Sequence, residues 1–309
     1  LATKVVVTGA NSAVGQAILK CGAEVVLTPT IFLAAVRSER AAEEIRSQLK
    51  DPQHITRISY VEPASLDAAL QGAGAVIHLP GILVERRDST YEQANVASTR
   101  GVVESAKRAG VGKFVLVSAT RADETSANRY YRTKGQAETL VRASGLPYTV
   151  LRAPLLLGPG TAGSAALKRN ASLRRARLIG GGRNLQQPLY VKDLARAAVI
   201  VATQPWVASN LTLDLVGPVS LPERELVEQA ARRQGHEIHI GSIPRNLLCL
   251  ALAIRQSIAG PGFSPDVLEV ITADTRIDPQ TAASKIGIQL TGIDEMIQTS
   301  LREGNSGEG

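Results

Sequence analysis

The chain has 309 residues, 35 Lys and Arg against 28 Asp and Glu for a formal charge of +7, and 44% apolar residues, which suits one large core or two unequal ones and excludes a disordered polymer. No apolar run reaches the length of about 18 residues that a spanning helix needs, the first residues enter a strand at once so that no leader is expected, and Cys21 and Cys249 supply neither a disulfide framework nor a cysteine zinc site; together these suit a cytoplasmic protein. Aromatic residues make up only 3% of the chain and none interrupts its most basic run, KRNASLRRAR at 168–177, so nucleic acid is not an expected partner; that run is either a solvated face or a draw for an anionic group.

The first element is the apolar run Val5 to Val7, which flows into a turn carrying Gly9 and Gly15 in KVVVTGANSAVG. Gly9 lets the chain leave the strand sharply, and the small residues Ala10, Asn11 and Ser12 let backbone N–H groups approach a pyrophosphate. Gly15 lets the next helix, at 14–25, pack closely with its positive end aimed at the phosphates. IFLAAVRS at 31–38 is the expected second strand, although AEVVLT at 23–28 is itself strand-like and leaves the register there open. A charged helix, SERAAEEIRSQL, follows, then a strand ITRISY at 55–60, a short helix PASLDAALQG and a strand AVIHLPG at 75–81. A long helix in YEQANVASTRGVVESAKRAG and a strand KFVLVSA at 113–119 continue the alternation. Alternating strands and helices predict an α/β fold, a doubly wound parallel sheet with helices on both faces.

Further on, IGGGRNLQQPLYVKDLARAAVIVA at 179–202 reads as a glycine turn, a short strand and a helix with Asp193 near its start. GPVSLPERELVEQAARRQGHEIHIGSIP gives a helix closed by Arg232 and Arg233, then a final strand. His236 and His239 fall on opposite faces of a strand in HEIHI with no third ligand, so no metal is expected. The segment IPRNLLCLALAIRQSIAGPGF, 243–263, is apolar but interrupted by Arg245, Arg255 and Pro261. It is expected to lid a substrate pocket with Leu247, Leu248 and Leu252 inward, the alternative being peripheral docking on a membrane or a protein complex. The closing EGNSGEG has no apolar anchor and is expected to be mobile.

The end of the second strand selects the nicotinamide cofactor: an acidic residue there bonds the ribose 2′-OH, a basic one accommodates a 2′-phosphate. Arg37, Ser38 and Arg40 stand there with no carboxylate before Glu39, which favours NADP over NAD. Tyr130 and Lys134 in NRYYRTKGQAE are four apart, one turn along one helix face. A free phenol titrates near 10, too high for an efficient base at neutral pH, and a nearby ammonium lowers it by roughly 1–3 units. Lys134 is therefore expected both to tune Tyr130 and to bond the nicotinamide ribose. Ser118 and Thr120, at the end of the 113–119 strand, are the two candidates for binding a substrate oxygen, with a helix or turn cap as the plain alternative for each.

VTGANSAVG, HLPG, YEQANVASTRGVVESAKRAGVGKFVLVSA, YYRTK, LPYTVLRAP and QQPLYVKDLA, in this order, resemble the extended and atypical short-chain dehydrogenase/reductase superfamily over about residues 3–300. The resemblance is to its sugar-nucleotide epimerase-like, NmrA-like and complex I accessory-subunit-like branch. It implies a Rossmann domain at 1–157 and a smaller substrate domain mostly at 158–309, with 188–216 partly returning to the first. It implies Gly9, Asn11, Ser12, Ala13 and Val14 at the pyrophosphate, Arg37 at the 2′-phosphate, and Leu79, Pro80 and Gly81 along the nicotinamide. It also implies Asn95 as the residue steadying the site, Tyr130 and Lys134 as the catalytic pair, and Ala153, Pro154 and Leu155 over the nicotinamide. Two positions depart from the family pattern: Ser12 replaces the middle glycine of GxxGxxG, and one alignment puts Ala119 at the catalytic Ser/Thr position with Thr120 beside it. The implied function is NAD(P)-dependent hydride transfer at a carbonyl or alcohol carbon of a small-molecule substrate, or epimerase/dehydratase-like chemistry. The alternative is a non-catalytic NADP(H)-binding accessory, assembly or redox-sensor protein.

Overall fold

Seven strands pair in parallel to form the central sheet of the computed structural model, which describes residues 2–26, 28–48 and 54–302. In chain order the sheet strands are β1 (Thr3–Thr8), β2 (Thr30–Val36), β3 (Ile55–Arg57), β4 (Ala75–His78), β5 (Lys113–Ala119), β6 (Tyr148–Ala153) and, after four short strands elsewhere, β11 (Leu211–Asp214). Their spatial order is β11-β6-β5-β4-β1-β2-β3, so the direction of winding reverses between β1 and β4. A crevice outside the carboxyl ends of strands opens at such a reversal.

Alternation along each strand sends side chains to two cores. Val5 and Val7 join Ile77, Val115 and Leu151 under α1 (Ala13–Val25) and α7 (Val191–Thr203), while Val6 joins Val76, Leu116 and Val150 under α3 (Pro63–Leu70) and α4 (Ser98–Arg108). The expected α/β alternation is present, with α2 (Glu39–Gln48) between β2 and β3 and α5 (Arg129–Arg142) between β5 and β6. The open register resolves in favour of the helix. Ala23 to Val25 form the last turn of α1, and β2 begins at Thr30 and ends at Val36 rather than at Ser38. Leu27, within that stretch, and the EGNSGEG tail lie outside the described residues.

Beyond β6 the chain forms three two-stranded ribbons. β7 (Leu156–Leu157) pairs β10 (Leu189–Tyr190), β9 (Leu185–Gln186) pairs β12 (Leu221–Pro222), and β8 (Arg175–Ile179) pairs β13 (His239–Ile243). A third apolar cluster knits Leu157 and Tyr190 to Leu167 of α6 (Ala162–Ala171), Leu226 and Val227 of α8 (Glu223–Arg233), and Met296 and Ile297 of α12 (Ile293–Arg302). Asp193, at the start of α7, accepts hydrogen bonds from the backbone N (2.7 Å) and hydroxyl (2.9 Å) of Thr291, which ties the chain's late segment to the Rossmann helices.

α9 (Arg245–Ala259) departs from the expected lid. Leu252 is buried and Leu248 half-buried, but Leu247 is exposed, so the three leucines do not share an inward face. Positions 247 and 252 are five apart, which a helix sets on opposite sides. α10 (Pro265–Thr272) and α11 (Pro279–Ile286) follow. His239 begins β13 but His236 precedes it, and among the described residues no three His, Cys, Asp or Glu side chains form a metal-binding group.

Candidate functional site

The turn after β1 is built for close approach. Gly9 has φ +70°, and a Cβ there would stand 2.7 Å from the Leu79 carbonyl oxygen, at the mouth of β4. A Cβ on Gly15 would meet the Ala10 carbonyl oxygen at 2.5 Å, so only glycine lets α1 start this near the strand. Ser12 caps α1 by accepting from the Gly15 N–H at 3.1 Å, while Asn11 is exposed at the tip of the turn. The caps leave the first amides of the helix pointing out of the carboxyl end of the sheet, where an anion gains from both the N–H groups and the helix dipole. Ala13 and Val14 form the first turn, and the chain beyond β6, through Ala153, Pro154 and Leu155, comes back over it. A Cβ on Gly160 would lie 3.5 Å from that of Ala13.

At the end of β2, Arg37 and Arg40 are exposed and Ser38 accepts from the Ala41 N–H at 3.3 Å, capping α2. Glu39 is turned onto Arg46 (2.7 Å) and Arg57 (3.7 Å), which hold its carboxyl below the usual range. The carboxylate between the two arginines in sequence is thus engaged, and Arg37 and Arg40 are exposed.

On the other side, Leu79, Pro80 and Gly81 leave β4 toward α5. Lys134 is buried and donates to the Pro80 carbonyl oxygen at 2.7 Å. A Cβ on Gly81 would come within 2.7 Å of Lys134 Nζ and 2.9 Å of Asn95 Oδ1, so glycine is needed for these groups to converge. Asn95 donates to Thr133 Oγ1 at 2.9 Å, and its Oδ1 is buried without a partner among the described residues. The backbone at Asn95 is not α-helical: Glu92–Ala97 is a π-helical turn running into α4, the kind of local widening that collects at functional sites. Burial lowers the Lys134 ammonium to about 8.

Tyr130 lies at the start of α5, where Asn128 caps the helix by accepting from the Tyr130 and Tyr131 N–H groups. Its ring meets Tyr91 and Tyr131 edge-on at 5.7 and 5.6 Å, and Lys134 Nζ is 6.0 Å from its centroid. Tyr130 is half-buried, and desolvation, then the neighbouring Tyr131 and Tyr91, push its phenol up, while the Lys134 ammonium is bonded to the Pro80 carbonyl. Ser118 and Thr120 are both buried at the end of β5. Ser118 Oγ has no partner among the described residues, and the Thr120 N–H donates to the Ala153 carbonyl at 3.1 Å. Among the described residues neither hydroxyl is bonded to Tyr130 or Lys134.

Supporting groups come from outside the expected set. Glu85 is buried against Arg129 (2.8 Å) and accepts from the Tyr91 N–H (2.8 Å), pinning the chain between β4 and the π turn to the start of α5. Glu138, one turn beyond Lys134, is buried and bound by both Nε (2.8 Å) and a terminal nitrogen (2.7 Å) of Arg152 on β6, and by Arg142 (3.0 Å). Only the four-residue step from Glu138 to Arg142 is visible in sequence. His78, fully buried, lies 2.6 Å from Thr8 Oγ1 and 3.1 Å from Thr99 Oγ1, which joins the ends of β1 and β4 to α4.

These residues fit a dinucleotide. The glycine cradle takes no side chain, and among the buried oxygens without a partner in the described residues are Asn95 Oδ1 and Ser118 Oγ, at the carboxyl end of the sheet. Fold and site together define a Rossmann protein with its crevice at the β1/β4 reversal. The chain belongs to the NAD(P)H-binding family, whose sequence pattern matches residues 9–178. It is 28% identical over 143 residues to the ceramide reductase of Caulobacter vibrioides, covering 46% of this chain and 45% of that one. It is 23% identical over 227 residues to the mitochondrial NADH-ubiquinone oxidoreductase 40 kDa subunit of Neurospora crassa, covering 73% of this chain and 60% of the subunit. The chain therefore spans about half the length of these relatives. The fold is also that of the triphenylmethane reductase of Citrobacter sp., solved with NADP(H), at TM-score 0.75, 20% identity and coverage of 96% of this chain and 100% of that one.

Proposed function

We propose that this chain is an NADP-dependent reductase that acts at a carbonyl carbon of a small molecule. The observation that carries the reading is the convergence of Lys134, Gly81 and the unpartnered Asn95 Oδ1 beside Tyr130, at the carboxyl end of a sheet whose first turn is a phosphate cradle. NADPH, when bound, supplies the hydride. Gly9 and Asn11 to Gly15 hold the pyrophosphate, and Arg37, Ser38 and Arg40 take the 2′-phosphate. Leu79 to Gly81 and Ala153 to Leu155 flank the nicotinamide, and Lys134 bonds its ribose on leaving the Pro80 carbonyl.

Tyr130 gives its hydroxyl proton to the substrate oxygen. A phenol is protonated at neutral pH, the state that donates in reduction; desolvation raises this one and so weakens it as an acid. Ser118 or Thr120 binds the same oxygen, Ser118 being the hydroxyl with an open hydrogen bond. The elements after residue 157 form the substrate side, apart from the return of α7 and β11 within 188–216 to the main sheet.

A second reading, a nucleotide-bound accessory protein without turnover, draws on the same raised phenol and on the subunit relative of Neurospora crassa. Tyr130→Phe separates the two. It removes only the ionisable oxygen, so NADPH binding by calorimetry is expected to stay within about threefold of wild type, while NADPH oxidation against a panel of aldehydes, ketones and quinones falls by about 10²–10⁴, the range for losing a general acid. Wild-type inactivity across the panel with intact NADPH binding supports the accessory reading.

A further inference from the structure

α9 is apolar on the side it turns to water. Leu247, Leu250, Ile254 and Ile258 fall on one face over successive turns and are 67%, 60%, 53% and 81% exposed, whereas Leu252, on the opposite face, is buried. At 15 residues the helix is about 22 Å long, so the row is a straight ridge rather than scattered surface leucines.

The segments that carry the ridge and the ribbon hold no acidic residue, and the carboxylates of α10, which packs on α9, are engaged elsewhere: Asp266 accepts from the Arg129 N–H and Glu269 from Asn128. No Asp or Glu occurs from residue 238 to 265, which contains all of α9, or from 139 to 192, which contains β8. β8 and β13 form a parallel ribbon in which Arg175 pairs with His239 and Arg177 with Gly241, and Arg177 donates to the Ser242 carbonyl at 3.4 Å. β13 leads through Pro244 straight into α9, so the Arg177 level of the ribbon lies only about 13 Å along the chain from the start of the helix. Arg174, Arg175, Arg177, Arg245 and Arg255 are exposed, and among the described residues none is paired with a carboxylate.

We propose that α9 and the β8/β13 ribbon form one docking surface for an anionic lipid bilayer. α9 lies in the interfacial plane with Leu247, Leu250, Ile254 and Ile258 against the upper acyl chains, and the arginines meet lipid phosphates. An apolar face set beside unpaired basic residues is the pattern that binds such surfaces. The ridge is built of Leu and Ile without Trp or Tyr, the aromatic anchors that concentrate energy at protein interfaces. A second copy is disfavoured by charge, since it would bring another chain of +7 with the same exposed arginines beside the ridge.

The test is co-flotation of the full chain with phosphatidylcholine vesicles, with and without phosphatidylglycerol, at low and raised salt. The expected result is flotation on the anionic vesicles, weakened by salt, and at least tenfold less bound protein both for Leu250→Asp/Ile254→Asp and for Arg175→Glu/Arg177→Glu. Thermal melting checks that both variants are folded. Ile258→Trp in a Trp206→Phe background gives a site-specific reading, with emission expected to shift to the blue on anionic vesicles only. Absence of wild-type flotation, equal flotation on neutral vesicles, an unshifted emission from the Ile258→Trp variant, or folded charge-altered variants that still float would overturn the proposal. So would a dimer by sedimentation that Leu250→Asp/Ile254→Asp dissociates.

Discussion

His78 is the residue whose environment most constrains its protonation. It sits between the Thr8 and Thr99 hydroxyls with no exposed surface, and burial, with a smaller contribution from the Lys134 charge, lowers its imidazole to about 3. Unfolded, the same side chain titrates near 6.5. Between these values the unfolded chain binds a proton that the folded one does not, so stability rises with pH across that window and is lost as pH falls from about 6.5 toward 3. The slope from this one group approaches about 1.4 kcal/mol per pH unit. Urea unfolding at a series of pH values should therefore show a steeper acid limb for wild type than for His78→Gln, and equal slopes would refute the assignment. Lys134 behaves in the related sense on the alkaline side. Lowered to about 8, it is carried as a buried cation at neutral pH, a cost relieved as pH rises toward its unfolded value. A group so placed is retained for what it bonds rather than for stability.

At the level of elements, α5 is held by its two ends. Asn128 caps its start and also donates to the Asp266 carbonyl at 3.1 Å and to Glu269 at 3.0 Å on α10, while Glu138 anchors its later half to β6 through Arg152. Glu138→Gln removes the charge but not the bulk, leaving Arg152 partly buried without its counter-ion. We expect a loss of about 3 kcal/mol, the lower end for breaking a buried ion pair, because Arg142 and part of Arg152 reach water. Chemical denaturation reads it, and a change under about 1 kcal/mol would mean the pair is not stabilising α5. The long helices and inner strands were legible because each carries a whole period of apolar residues. AEVVLT misled because Val25 and Val26 have strand propensity, and helix α1, already nucleated and packed on α7, extends through the first of them. The π turn at 92–97 is invisible in sequence, since one extra residue in a helical turn leaves the composition unchanged. Arg152 and Glu138 are fourteen apart and meet only after β6 takes its place beside β5. The outward face of α9 was hidden because that helix is apolar nearly all round, so periodicity could not choose which leucines turn inward.

On the proposed reading, the glycine cradle and the exposed Arg37 and Arg40 that follow β2 act on the molecule as a whole through ligand linkage. A ligand bound only by the folded state at about 100 times its Kd adds about 2.7 kcal/mol. NADPH is expected to raise Tm more than NADH at equal concentration, and Arg37→Ala to bring the two shifts together; equal shifts in wild type would refute the 2′-phosphate assignment. The outer strands of the main sheet, β3 with three residues and β11 with four, are short, which limits edge-to-edge pairing between copies. The strand order has a consequence in time. β1, the earliest of these seven strands to be made, lies inside the sheet, and its partner on one side, β4, ends at His78. At roughly 5–20 residues per second, synthesis leaves that edge of Val5 to Val7 unpaired for several seconds after β1 exists. Over that interval the nascent chain carries an open strand edge whose centre, Val5 to Val7, is apolar. Refolding from denaturant starts with β4 already present, and so escapes this delay.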